Sequence, residues 1–346
     1  MRKLLNTIYV TTEDAWLRKD GANLVVELNG AELGRVPLHL LDGVVSFGRA
    51  GASPALMAAC AEAGITLSHV APTGRFLARV EGHRTGNVLL RRTQYRAADD
   101  PVRQGLIVQA IVAAKAANQR TVLRRALRDH GAALAGAPQD ALDFAERRLT
   151  ICGRQVLGCT DVAQVRGLEG EAASVYFGVF DHLVRVDGEA FRFRGRSRRP
   201  PLDRMNALLS FLYAMLGHDC RSALEAHGLD PQVGFLHADR PGRSSLALDL
   251  MEELRPVLAD RVALSLVNRR QVAEADFVVE AAGGVRLTDE ARKTVLTAWQ
   301  DRKRDEIRHP FLDEVIPFGL LAFTQAQLLA RHLRGDLDGY PAFFWR

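Results

Sequence analysis

The period of the apolar residues changes once along this chain, near residue 86, and that change limits the folds open to it. Before it, short apolar runs are broken by turn dipeptides. The segment AWLRKDGANLVVELNGAELGRVPL carries Asp20-Gly21 and Asn29-Gly30 between such runs, the pairs that two-residue hairpins demand. LLNTIYV, LDGVVSFG and ITLSHVAPTGRFLARVEG read as further strands. SPALMAACAEAG reads as one short helix, with Ser53 as cap and Gly64 as stop. After Pro101 the periodicity is helical: VRQGLIVQAIVAAKAANQRTVLRRAL, DALDFAERRL, DVAQVRGLEGEAASVYFGVFDHLV, LTDEARKTVLTAWQDRKRDEI and LLAFTQAQLLARHL all repeat it. PLDRMNALLSFLYAML predicts a fully buried helix ending near Gly217, and EADFVVEAAGGVRLT a small hairpin. The expectation is a two-domain α+β chain. A small N-terminal β-sandwich-like domain spans 1–86, a linker 87–100, and a larger, mainly α-helical domain 101–346.

Composition narrows the function classes. The 346 residues are 47% hydrophobic and 25% charged, the profile of a globular protein with a real core. The net charge of +5 leans toward an anionic partner, nucleic acid first. No apolar run approaches the roughly 18 residues a membrane span needs, and MRKLLNTIYVTTED does not read as a signal peptide. Cys60, Cys152, Cys159 and Cys220 include no C-x-x-C pair, so structural zinc is not expected, and scattered thiols fit a reducing cytoplasm. There is no P-loop and no G-x-G-x-x-G opening a helix, which argues against a nucleotide-hydrolysing or dinucleotide-binding core.

GFLHADRPGRSSLALDLMEELRP, residues 234–256, poses the chemical question. Ser244 and Ser245 can cap a helix that Pro256 limits. Leu246, Ala247, Leu250, Met251 and Leu254 spread over much of its circumference, so it is largely buried. Yet it carries Asp249, Glu252 and Glu253. Asp249 and Glu252 share a face and repel each other unless a positive group stands near. A divalent cation with oxygen ligands and the His237 imidazole answers this. For the helix alone, a solvated acidic strip with Arg240, Arg243 or Arg255 as counter-charge is the favoured description, and His237 is what shifts the balance. A further carboxylate lies in RGLEGEAASVYF, where Glu169 sits between Gly167 and Gly170. Each glycine costs about 1 kcal/mol in a helix, which predicts close packing against a neighbouring element. Glu169, His237 and Glu252, with Asp249 alongside, would form a site suited to manganese or magnesium. Its ion could polarise a phosphodiester.

Basic stretches supply candidate phosphate contacts. FRFRGRSRRPPLDR holds Arg194, Arg196, Arg198 and Arg199 with Phe191 and Phe193 interleaved, and reads as a mobile phosphate-binding loop. Arg91 and Arg92 lie in LLRRTQYR, Arg240 and Arg243 in the loop before the acidic helix. Lys303 lies in QDRKRDEIRHP, beside Arg302, Arg304, Arg308 and His309.

Taken together, LNTIYV, GLEGEAASVYF at 167–177, NALLSFLYAML at 206–216, GFLHADRPGRSSLALDLMEELRP and the closing YPAFFW resemble the CRISPR-associated endonuclease that serves as integrase in spacer acquisition. The resemblance covers essentially the full length, and the LNTIYV opening is similar to the subtype I-C branch. It implies an N-terminal β-domain, an α-helical catalytic domain, and a Mn2+ or Mg2+ site built from Glu169, His237 and Glu252. Many members carry aspartate where Glu252 stands, which leaves Glu252 or Asp249 as the closer ligand. The resemblance implies a homodimer formed through the β-domain, bridged to a second by the small second adaptation subunit. It implies DNA as substrate: the 3′-hydroxyl of a foreign fragment attacks a phosphodiester of the CRISPR repeat. A repair nuclease and a non-catalytic DNA-binding scaffold are the alternatives that the residues alone leave open.

Overall fold

The computed structural model describes residues 6–82, 88–281 and 283–345. Leu4 and Leu5 of the first expected strand, and the expected boundary at residue 86, lie outside them. The chain divides into two compact units, residues 1–85 with 287–304, and 86–286 with 305–346.

The first unit is β-rich. Its strands are β1 (Thr7–Val10), β2 (Trp16–Asp20), β3 (Asn23–Leu28), β4 (Ala31–Pro37), β5 (Gly43–Phe47), β6 (Gly51–Ala52), β7 (Thr66–Val70) and β8 (Phe76–Val80), with α1 (Pro54–Ala63) between β6 and β7. One sheet runs β4-β3-β2-β6, the other β1-β5-β7-β8. Leu28 pairs with Ala31 across Asn29 and Gly30, whose φ angles of 52° and 80° are both positive. That is the backbone that makes Asn-Gly the preferred hairpin pair. In the other sheet β1, β5 and β7 run parallel and only β8 is antiparallel. Ser53 Oγ accepts from Leu56 N at 3.3 Å, and Gly64 ends α1 at φ 69°. Leu17, Leu24 and Val26 from one sheet, Val10, Val44 and Leu67 from the other, and Leu56 and Cys60 from α1 share one apolar core.

The second unit is helical: α2 (Val88–Asp99), α3 (Pro101–His130), α4 (Ala137–Leu157), α5 (Val162–Gly178), α6 (Arg204–Ala226), α7 (Ser245–Leu254) and α8 (Arg261–Asn268). A small sheet of β9 (Phe277–Val279) and β10 (Val285–Leu287) follows; after α9 (Asp289–Arg304), which belongs to the first unit, come the pair β11 (Glu306–Arg308) and β12 (Val315–Pro317), and α10 (Leu321–Arg334). Helix α3 packs on α4, α5 and α7. It starts where Asp100 accepts from Val102 N at 2.9 Å and Arg103 N at 3.3 Å, with Pro101 pre-set for the first turn. No described helix is long and apolar enough to cross a membrane.

Three expectations are corrected here. The stretch expected as a linker is helix α2. Helix α9 groups with the β-rich unit, where the Arg292 guanidinium lies 5.9 Å from the Phe47 ring centre. Helix α6 runs past Gly217 to Ala226, because that glycine is a contact point rather than a stop. A Cβ there would lie 3.1 Å from Met251 Sδ of α7.

Candidate metal centre

Three helices and one loop of the helical unit bring the candidate residues together. On α5, Val165, Ala172 and Tyr176 are buried, and Glu169 falls at the helical spacing that shares their face. On α3 the alanine-rich core face carries one buried cation, Lys115, at 5% exposure. Helix α7 adds Asp249 and Glu252, both buried. The loop at 230–237 adds His237.

That loop is held from every side. Gln94 of α2 donates to the carbonyls of Asp230 (2.8 Å) and Val233 (2.9 Å), and accepts from Asp230 N at 2.9 Å. Gln104 of α3 donates to Phe235 O at 2.8 Å, and Arg166 of α5 to Leu236 O at 2.6 Å. Gly234 lets the loop lie against α7, since a Cβ there would stand 2.8 Å from Ser245 Cβ and 2.9 Å from Asp249 Oδ2. Ser245 Oγ donates to Ala238 O at 3.1 Å. Neither Ser244 nor Ser245 caps α7 through its side chain, so the expected serine cap is replaced by a loop tether.

Asp249 closes the loop. Its Oδ2 accepts from Phe235 N (2.6 Å) and Leu236 N (3.0 Å); its Oδ1 meets His237 N (2.9 Å) and His237 Nδ1 (2.6 Å). Those four contacts fill the roughly four acceptor sites of a carboxylate. An Nδ1–H donated to Asp249 leaves Nε2 of His237 with its lone pair, and Nε2 stands 3.7 Å from Glu252 Oε1.

Lys115 lies between the two glutamates. Its Nζ bonds Glu169 Oε1 and stands 2.5 Å from Glu252 Oε2. The second contact is off the line of a hydrogen bond, so buried Oε2 has no aligned donor. Arg255 donates to Glu252 Oε1. Burial pushes the Glu252 pKa up, but the charges of Arg255 and then Lys115 outweigh it and bring it down to about 2. Arg255 and Arg196 lie 5.2 and 5.1 Å from the Tyr213 ring. Tyr213 and Tyr176 both donate to Asp260, at 2.7 and 3.1 Å. Burial raises the Asp260 pKa to about 6 against those hydrogen bonds.

The other side of α7 is tied to the segment 340–345. Asn118 of α3 donates to Glu253 O (2.7 Å) and Phe343 O (2.8 Å) and accepts from Trp345 N (2.7 Å). Glu253 accepts from Tyr340 Oη, Phe343 N and, at 3.1 Å, Gln325 Nε2. Burial pushes its pKa up to about 7.

Glu169 and Glu252 thus meet on Lys115, and His237 Nε2 faces Glu252. Among the described residues, no three acidic, histidine or cysteine side chains stand in ion-ligating geometry. The donors nevertheless fit a divalent ion. They offer two carboxylates and one imidazole nitrogen, a buried oxygen lacks an aligned donor, and a side-chain cation already bridges the carboxylates. Gly167 and Gly170 do not pack closely as expected: a Cβ at either would meet nothing within 4 Å.

The basic residues divide. Arg92, Arg198, Arg199 and Arg240 are exposed, and Arg91 and Arg243 half-buried. Arg194 is exposed but pairs with Glu189 at 3.1 Å. Arg196 instead bonds Ser197 O and Asn206 Oδ1, both at 2.6 Å. Its stretch is pinned rather than loose, because Phe193 packs 5.1 Å from the Phe180 ring and Phe191 is buried. Lys303 is buried within α9 of the other unit, and His309 is buried against Gln325, so neither presents its charge to solvent. Lys115, Gln94, Gln104 and Arg166 carry much of the site's geometry, and none was singled out from the sequence. The one local signal was a lone lysine in the apolar run IVAAKAAN.

Residues 8–301 match the family described as CRISPR associated protein Cas1. A Rhodospirillum rubrum protein named CRISPR-associated endonuclease Cas1 2 is 61% identical, with all of both chains covered. A CAS1 protein from Thermotoga maritima has the same fold, at TM-score 0.80 and 23% identity, covering 96% of this chain and 97% of that one. A chain of a partial Cas6-RT-Cas1–Cas2 complex aligns at TM-score 0.65 and 25% identity, covering 98% of each. The chain therefore belongs to the Cas1 family of CRISPR-associated proteins.

Proposed function

We propose that Glu169, His237 and Glu252 hold one Mn2+ or Mg2+ ion, and that this centre inserts foreign DNA into a CRISPR array by transesterification. The chain is a CRISPR-associated endonuclease, the activity for which its 61%-identical relative is named. The observation that carries the site is the meeting of Glu169 and Glu252 on one ammonium, with His237 Nε2 3.7 Å from Glu252. When bound, the ion would polarise the attacked phosphodiester and stabilise charge on the leaving oxygen.

The chain's own residues do the rest. Asp249 fixes the His237 ring and turns Nε2 inward, which makes it a positioning residue rather than a ligand. Arg255 holds Glu252 ionised and aimed. Arg92, Arg198, Arg199 and Arg240 offer exposed guanidinium groups for the DNA backbone. The 3′-hydroxyl oxygen of the incoming fragment forms a bond to phosphorus as its proton passes to solvent, and the bond from that phosphorus to the 3′-oxygen of the array strand breaks, the departing oxygen taking up a proton to become a free 3′-hydroxyl. Hydrolysis is the same displacement with water as nucleophile.

We assign the chain a homodimer through its β-rich unit, and Cas2 as the partner that bridges two such dimers. The partial Cas6-RT-Cas1–Cas2 complex supports that partner. The LNTIYV opening supports subtype I-C, and the cytoplasm is where fragment and array meet. The test is Mn2+-dependent cleavage and strand transfer on a branched DNA, wild type against His237→Ala, with and without Cas2. Activity that needs both the metal and His237 is expected. Equal activity in both proteins would overturn the assignment.

A further inference from the structure

We infer that Lys115 is the resident counter-ion of the centre, and that a divalent ion enters only by displacing its ammonium. This rests on the ligand set proposed above. Lysine is almost never buried unless paired, and Lys115 is 5% exposed. Its partners are two of the three proposed ligands, Glu169 and Glu252. Arg255 reaches Glu252 alone, and His237 Nε2 also faces Glu252, so Lys115 is the cation shared by both carboxylates.

Without it, two carboxylates would face each other across a largely buried gap, where like charges repel strongly. With it, they are held near one another before any ion arrives. The ammonium and a divalent ion cannot share that gap, since both are positive and both need the same oxygens. A lysine suits the exchange. Its charge is compact, on a flexible four-carbon stem, while a guanidinium is a rigid fork. The anchoring point stays fixed, because α3 is held at this level by Asn118, which bonds Glu253 O and Phe343 O. Two properties follow: the ion-free protein is stabilised by Lys115, and the ion's affinity is reduced by it.

The experiment titrates Mn2+ into the full chain and follows free Mn2+ by its electron paramagnetic resonance signal, with Tm measured in EDTA and in Mn2+. Wild type, Lys115→Met and Glu252→Gln are compared. Lys115→Met is expected to melt lower than wild type in EDTA. It should also bind Mn2+ at least about tenfold tighter, and gain more Tm from the metal. If Lys115→Met does not fold, Lys115→Gln takes its place, keeping an N–H donor without the charge; the same tightening is expected. Wild-type affinity in the neutral variant, lost in Glu252→Gln, would overturn this inference and leave the ligand set standing. Binding seen only in the neutral variant would support the inference. No Mn2+ binding in either would overturn both.

Discussion

Glu252 and Glu253 are adjacent on α7, and both are buried, yet they serve opposite chemistry. Glu252 faces Arg255, Lys115 and His237, and its pKa is brought down to about 2. Glu253 faces Tyr340, Gln325 and the Phe343 N–H, and burial lifts its pKa to about 7. Burial alone therefore does not decide whether a carboxylate is ionised. Full charges on one side of the helix beat desolvation, while hydrogen-bond dipoles on the other only soften it. The first side holds the side-chain cations Lys115 and Arg255, and the second holds the segment at 340–343.

The sharpest test of that contrast is activity. Glu252→Gln should lower Mn2+-dependent cleavage by about a thousandfold, the scale of losing a group that supports charge at the reacting phosphate. Glu253→Gln should stay within about threefold of wild type, since it reaches no reacting atom. Comparable losses in both would erase the distinction.

Stability against pH comes next, measured as Tm in EDTA from pH 3 to pH 8. Glu253 rises from an ordinary 4.5 to about 7 in the fold. Between those values the folded chain keeps a proton that the unfolded chain has released. Its contribution is therefore full below about pH 4.5 and is lost as pH rises to 7, by about 3 kcal/mol. Asp260, raised from 3.8 to about 6, acts in the same sense. Glu252, lowered from 4.5 to about 2, acts in reverse: its stabilisation is present above 4.5 and lost as pH falls toward 2. Glu253→Gln should flatten the profile between pH 4.5 and 7, and Glu252→Gln should flatten its acid limb. A Glu253→Gln profile parallel to wild type would contradict the raised value.

Asp249 shares its helix side with Glu252 yet is satisfied by hydrogen bonds, like Glu253. Asp249→Asn should lower activity by about 10- to 100-fold, the usual cost of losing a group that orients a ligand. The loss should appear chiefly as weaker Mn2+ binding, which titration reads directly. The smallest effect is at the open flank of Glu169. Gly170→Ala should stabilise α5 by about 1 kcal/mol, raising Tm by a few degrees, because the added Cβ meets nothing. Destabilisation there would restore the close-packing explanation.

What could be read from the sequence follows how local the physics is. The Asn29-Gly30 hairpin needed only its two residues, because positive φ at both is a property of those residues. Ser53 and Gly64 bounded α1 for the same reason. His237, Glu169 and Glu252 could be picked out as candidate donors, but the lysine on which the two glutamates meet could not. Lys115 lies 54 residues from Glu169, and the Gln94 brace lies 136 from its partner Asp230. A charged stretch with one buried glutamine looked like a linker because the glutamine's partners are chosen by the fold. Gly217 looked like a stop because a glycine that admits Met251 and one that ends a helix are the same letter.

The contacts between α7 and the segment at 340–345 set an order of events during synthesis. Phe343 follows Glu253 by 90 residues. At about 5–20 residues per second, that is roughly 5–18 seconds of translation. Over that interval α7 can leave the ribosome with Asn118 and Glu253 lacking their partners, so its support is incomplete. The braces that tie α7 and α3 to this segment are consequently among the late contacts of the helical unit, and a chain still being made lacks them.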